Sequence, residues 1–100
     1  MFAVVNHLYL NKPVDEFRDA VQNEGLPLLQ SLQGFRDLYF IKAGDDHAIV
    51  VLLWETGADA QNGAAVFGPS WFAKNLAPFL KAEQQRSAGP VIASSQSLTS

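Results

Sequence analysis

Asn6 and His7 stand side by side in Val5-Asn6-His7-Leu8 and are the first residues of the chain that could do chemistry. Phe2 to Leu10 alternates imperfectly: Phe2, Val4, Asn6, Leu8 and Leu10 fall on one face of a strand, and Ala3, Val5, His7 and Tyr9 on the other. Asn6 therefore shares a largely apolar face, where its amide must find partners. A structural hydrogen bond or the polar group of a ligand in a cavity would both serve. His7 is expected on the opposite face with Tyr9, and an imidazole there could accept a proton. The second histidine, His47, follows Asp45 and Asp46. Asp-Asp-His could bind a metal, but three successive turn residues rarely converge on one ion, so a solvated turn and no metal site are expected. Trp54, Phe67, Trp71, Phe72 and Phe79, with Asn75 beside them on the same stretch, could wall a pocket for a flat hydrophobic ligand. Core packing is the commoner role of aromatics at helical spacing. Arg18, Arg36, Lys74 and Arg86 have no visible anionic target.

The elements that must position these residues can be read in order. Asn11-Lys12-Pro13 stops the first strand, and Pro13 opens a helix with Asp15 and Glu16 in its first turn, near the positive end of the helix dipole. Val14, Phe17, Val21, Leu28 and Leu32 form its apolar stripe, and Gly25 and Pro27 predict a kink or short break. Gly34 ends it. Phe35 to Ala43 reads as a second strand, Gly44-Asp45-Asp46 as a hairpin turn, and Ala48 to Glu55 as the third strand. Thr56, with Asp59 three residues on, resembles the capping box of a second helix. Gly68-Pro69 should disrupt that helix, with Ser70 capping a restarted one that runs to Leu80 under strain from Pro78. Gly89-Pro90 then introduces Val91 to Leu98 as an edge strand.

The resulting order is βαββαβ. Two right-handed crossovers give an α+β, ferredoxin-like fold: a four-stranded antiparallel sheet with both helices on one face and the first and third strands in the middle. Ile49 to Trp54 is uninterruptedly apolar, so both faces of the third strand require cover. Strands of ~6 residues at ~3.3 Å, four abreast at ~4.8 Å, leave a bare face of roughly 400 Å², as large as the largest patch most monomers carry. At ~25 cal/mol per Å² its burial contributes on the order of 10 kcal/mol before association costs. A homodimer packed through the sheet face is expected.

Composition narrows the function. With 100 residues, 48% hydrophobic and 17% charged, the chain is one globular domain. A net charge of −3 and scattered Lys and Arg give no footprint for nucleic acid and argue against an anionic membrane. No apolar run approaches the ~20 residues of a membrane span. Lacking cysteine, the chain has no disulfide, thiolate nucleophile or cysteine-ligated metal. The opening has no signal-peptide pattern, so the cytoplasm is the expected compartment.

The strand bearing Asn6, the helix-ending Leu32-Gln33-Gly34-Phe35-Arg36, the strand closing in Leu53-Trp54-Glu55 and the Phe72-centred helix together resemble the antibiotic biosynthesis monooxygenase superfamily, the dimeric α/β-barrel proteins. The likeness spans nearly the whole chain, and its motifs speak to fold more than to function. It implies a ligand cavity between sheet and helices, and Asn6 matches the catalytic asparagine on the first strand of the family's haem-degrading branch. Aligning Phe72 with the family's phenylalanine puts Leu76 where that branch has its histidine iron ligand, which argues against haem. The resemblance thus implies a cofactor-independent monooxygenase acting on a phenolic, quinol or polycyclic aromatic molecule, with Asn6 and His7 as candidate catalytic residues. The alternative is a non-catalytic dimeric small-molecule-binding or stress-related domain of the same fold.

Overall fold

The computed structural model describes residues 1–95. Four strands, β1 (Phe2–Tyr9), β2 (Phe35–Lys42), β3 (His47–Trp54) and β4 (Gln85–Pro90), form one antiparallel sheet in the order β2-β3-β1-β4. The two most apolar strands lie in the middle, as their sequences demand. Asn6 sits between Val50 on β3 and Arg86 on β4.

β4 differs from the expectation. Pairing to β1 runs from His7–Gln85 to Phe2–Pro90, so the fourth strand ends where the sequence reading began it. An edge strand bonds on one side only, which lets a polar, Gly- and Pro-containing segment take the place. Val91 to Ser95 form no strand, and the remainder of the expected one, 96–98, lies outside the described residues.

The first helical segment, residues 14–30, is irregular throughout. A 3₁₀ turn (Val14–Phe17) leads through Arg18–Ala20 into a π turn (Val21–Gly25) and an α-helical end (Leu26–Gln30). The Leu26 N–H donates to the Val21 carbonyl, five residues back. The helix widens just ahead of Pro27, which has no N–H to offer the regular ladder, and so continues without a break. Gly34, at φ 78°, turns the chain into β2 in the left-handed conformation that favours glycine.

The second helical segment starts as expected, with the Thr56 hydroxyl accepting from the Asp59 N–H at 3.1 Å. Its α-helical part (Gly57–Phe67) passes directly into another π turn (Gly68–Phe72), then Ala73–Asn75 and a final 3₁₀ turn, Ala77–Phe79. Ser70 caps nothing: its hydroxyl donates to the Val66 carbonyl within a continuous helical path. Gly68-Pro69 therefore widens the helix rather than ending it.

Both segments cover one face of the sheet. Val4, Leu8, Ala48 and Trp54 from the strands are buried against Val14, Phe17, Val21, Leu29, Ala60, Trp71 and Leu76 from above. The other face carries Val5, Ile49, Val51 and Leu53, and its Tyr39 and Ile41 remain 52% and 43% exposed. His47 belongs to this outer face too. It is the first residue of β3, paired with Tyr9, and not part of a solvated turn. Among the described residues no helix is long and apolar enough to cross a membrane.

Candidate functional site

Between the sheet and the two helical segments lies a cavity of about 140 Å³. Val4, Asn6, Val50 and Trp54 contribute its floor. Its roof includes both π turns, through Val21 and Gly25 of one and Gly68, Trp71 and Phe72 of the other, with Leu29, Ala60 and Phe67 from the α-helical parts beside them. A widened turn displaces side chains from the regular helical stripe. Here the two irregularities meet: a Cβ on Gly25 would lie 3.3 Å from the Trp71 ring, so the missing side chain lets the indole rest against the first segment. Phe67 stacks on Trp71, centroids 5.5 Å apart.

The polar lining is sparse and mostly unsatisfied. Asn6 Oδ1, Gln84 Oε1 and Trp71 Nε1 are buried without a hydrogen-bond partner, and all three residues line the cavity. Arg86, directly across from Asn6 on β4, stands at the exposed rim, and it takes part in none of the ion pairs found among the described residues. The cavity is thus apolar over most of its wall. Asn6, Gln84 and Arg86 gather where β1 meets β4, and the Trp71 ring comes down from the helices. Such an arrangement suits a flat apolar ligand with oxygen substituents: acceptors for the indole and guanidinium, a donor for the amide oxygens. No carboxylate, imidazole or phenol lines it among the described residues.

Of the expected site residues, Asn6, Trp54, Phe67, Trp71 and Phe72 meet at this cavity. Three do not. His7 points to the outer face, where its Nδ1 lies 2.9 Å from His47 Nε2, because strand alternation sends neighbours to opposite sides. Asn75 turns back along its helix and donates to the Trp71 carbonyl at 2.8 Å. Phe79 packs edge-on against Phe17 at 5.3 Å, with the Lys12 ammonium 4.7 Å above its ring. Gln84 and Arg86 are site residues that the sequence does not single out, because its fourth strand reads at Val91 to Leu98 and the observed one is Gln85–Pro90. An even-numbered alternation extended onto Gln85–Pro90 would have placed Arg86 beside Asn6.

The donor set also bears on haem. Leu76, where the resemblance would put the iron ligand, is a buried aliphatic side chain of the cavity wall, and both histidines lie beyond the sheet. The residues present do not fit iron ligation.

The architecture has the fold of the antibiotic biosynthesis monooxygenase-type proteins. Among solved structures, a Nitrosomonas europaea protein of unknown function, NE2512, superposes with a TM-score of 0.76 at 16% identity, over 96% of this chain and 93% of that one. SnoaB, a cofactor-independent oxygenase from Streptomyces nogalater, gives 0.72 at 15% identity over 99% and 97%. The monooxygenase ActVA-Orf6 of Streptomyces coelicolor, solved with nanaomycin D, gives 0.71 at 14% over 93% and 92%. At such identities the likeness establishes the fold. No family model and no curated protein matches the sequence.

Proposed function

We propose that the chain is a cytoplasmic monooxygenase that takes a phenolic, quinol or polycyclic aromatic molecule into the sheet–helix cavity and oxygenates it with dioxygen, using neither metal nor flavin. The observation that carries this reading is a largely apolar cavity between sheet and helices whose lining includes Asn6, Gln84, Arg86 and Trp71, three of them residues with a buried polar atom that has no protein partner. Leaving a buried polar atom unpaired costs about 1–3 kcal/mol, and all three atoms belong to residues that line the cavity, which supports a site for a ligand with polar groups. The volume is close to the ~150 Å³ of an engineered cavity that holds benzene. One ring would be enclosed, with further rings projecting past the rim at Arg86.

The chemistry requires an electron-rich ring. Arg86 at the rim favours the phenolate over the phenol, and the side-chain N–H of Asn6 donates to the oxygen substituent and orients it. With no carboxylate or imidazole in the lining among the described residues to accept it, the proton leaves to water at the rim. The anion passes one electron to dioxygen, the resulting radical pair joins to form a carbon–oxygen bond, and the O–O bond then breaks. One oxygen atom stays on the ring carbon as a quinone carbonyl and the other leaves as water with the two hydrogens lost by the substrate. The substrate supplies all four electrons that dioxygen takes up, two with the new carbon–oxygen bond and two with the hydrogens that leave in water, so no external reductant is needed. Trp71, Phe67 and Phe72 keep water from the radical pair.

The lack of a base in the lining favours a second reading, in which the same cavity binds its ligand without turnover. A dioxygen-electrode screen with phenols, hydroquinones and anthrones, run beside quenching of the cavity tryptophans, separates the two. Turnover that falls in Asn6→Ala supports the oxygenase. Quenching without dioxygen uptake supports the binding domain, and turnover indifferent to Asn6→Ala removes Asn6 from the mechanism. In either reading a second copy covers the outer face of the sheet, and a monomer in size-exclusion chromatography at micromolar concentration would refute that.

A further inference from the structure

The outer face holds a cluster that the cavity chemistry does not use. His7 and His47 come from adjacent central strands, two residue positions out of direct register, since His7 faces Ile49 and His47 faces Tyr9. Their Nδ1 and Nε2 atoms approach to 2.9 Å and their ring centroids to 5.2 Å. The Tyr9 ring stacks on His47 at 4.5 Å and 21°, which fixes the plane of that imidazole. Both histidines are half-buried on a rigid sheet.

We propose that His7 and His47 form a two-imidazole site for a divalent transition-metal ion of the zinc, nickel and copper class. Two imidazole nitrogens at 2.9 Å share one hydrogen between them: one ring donates and the other accepts. A metal ion can take the place of that hydrogen when the donating ring carries its proton on its other nitrogen instead, so that both facing nitrogens present a lone pair and both imidazoles stay neutral. Metal–nitrogen bonds of about 2.0–2.1 Å at a tetrahedral angle hold the two nitrogens about 3.3 Å apart, so the pair must open by only about 0.4 Å, within reach of a small rotation about each side chain. Borderline-soft ions of this class prefer imidazole, whereas magnesium and calcium prefer oxygen; among the described residues neither ring forms an ion pair with a carboxylate, and the neighbouring Asp46 is engaged by Lys81. Both side chains are already held together, so little side-chain entropy remains to be lost on binding. Water, or a group of a second copy over this face, fills the other positions. Both imidazoles of this chain are required in either case.

The test is titration of the chelator-treated full chain with zinc chloride, and separately nickel chloride, by isothermal calorimetry on wild type, His7→Gln and His47→Gln. Saturable binding in the wild type is expected. Either substitution should weaken it by about tenfold or more, given that groups that merely hydrogen-bond a metal's ligands are worth roughly 10–100-fold. A measurement that needs no variant accompanies it. The chain has two histidines, so the imidazole ring signals in a nitrogen-detected NMR spectrum report this pair alone, and both should shift together as zinc is added. Absence of saturable binding, unshifted ring signals, or binding undiminished in both variants would overturn the proposal.

Discussion

Asn6→Leu should make the empty protein more stable while removing its ligand chemistry. The side chains are nearly isosteric, and the position lies on the buried face between Val50 and Arg86. In the native chain Oδ1 is desolvated without a partner. The substitution removes that penalty, about 1–3 kcal/mol, and adds apolar contact to Val4 and Val50 along the cavity floor. A domain of 60–100 residues gains roughly 4–8 °C in melting temperature per kcal/mol, so the shift is well above thermal-scan error. Urea denaturation gives the same quantity independently, through a higher midpoint at unchanged slope. Protein concentration must be held fixed, because association would itself raise apparent stability. Ligand quenching and dioxygen uptake should both fall. Destabilisation by about 1 kcal/mol or more would refute the reasoning, since it would mean the amide holds the fold together and is not waiting for a ligand.

Two glycines of the second helical segment should respond oppositely to the same change. A Cβ on Gly63 would lie 2.1 Å from the fully buried Trp54 ring, so Gly63→Ala should lower stability by about 1–3 kcal/mol through overpacking, outweighing its gain of at most ~1 kcal/mol in helix propensity. A Cβ on Gly68 meets nothing within 4 Å, and Gly68→Ala should raise stability by about 0.4–1 kcal/mol; chemical denaturation of both variants would show whether the signs differ. The Asp46 carboxyl, hydrogen-bonded to the Lys81 ammonium, is held below its ordinary value of 3.8. Its contribution is therefore present above pH 3.8 and is lost as pH falls through the depressed value. The melting-temperature difference between wild type and Asp46→Asn should shrink as pH drops below about 4, and added salt should reduce it at neutral pH; a difference that grew on acidification would contradict this assignment.

What the sequence disclosed of the site follows from where each residue's position is decided. Asn6, Trp54 and the central strand pairing were legible because β1 and β3 are strongly patterned and buried, which leaves one register that hides the apolar residues. Gly25, Pro27, Gly68 and Pro69 signalled trouble in both helices. They could not disclose that each helix would widen rather than break, because that depends on the carbonyl left without a donor and on the sheet below holding both halves in place. β4 was illegible for a different reason. Gln85-Arg86-Ser87-Ala88-Gly89-Pro90 has little strand propensity of its own, whereas Val91-Ile92-Ala93 has more. The free edge of β1 selected the weaker segment, and with it came Gln84 and Arg86. The polar end of the cavity thus rests on a strand specified by its neighbour. The same cross-strand dependence brings His47 to His7: neither residue's local context places the two imidazoles together, and only the register of β1 on β3 does.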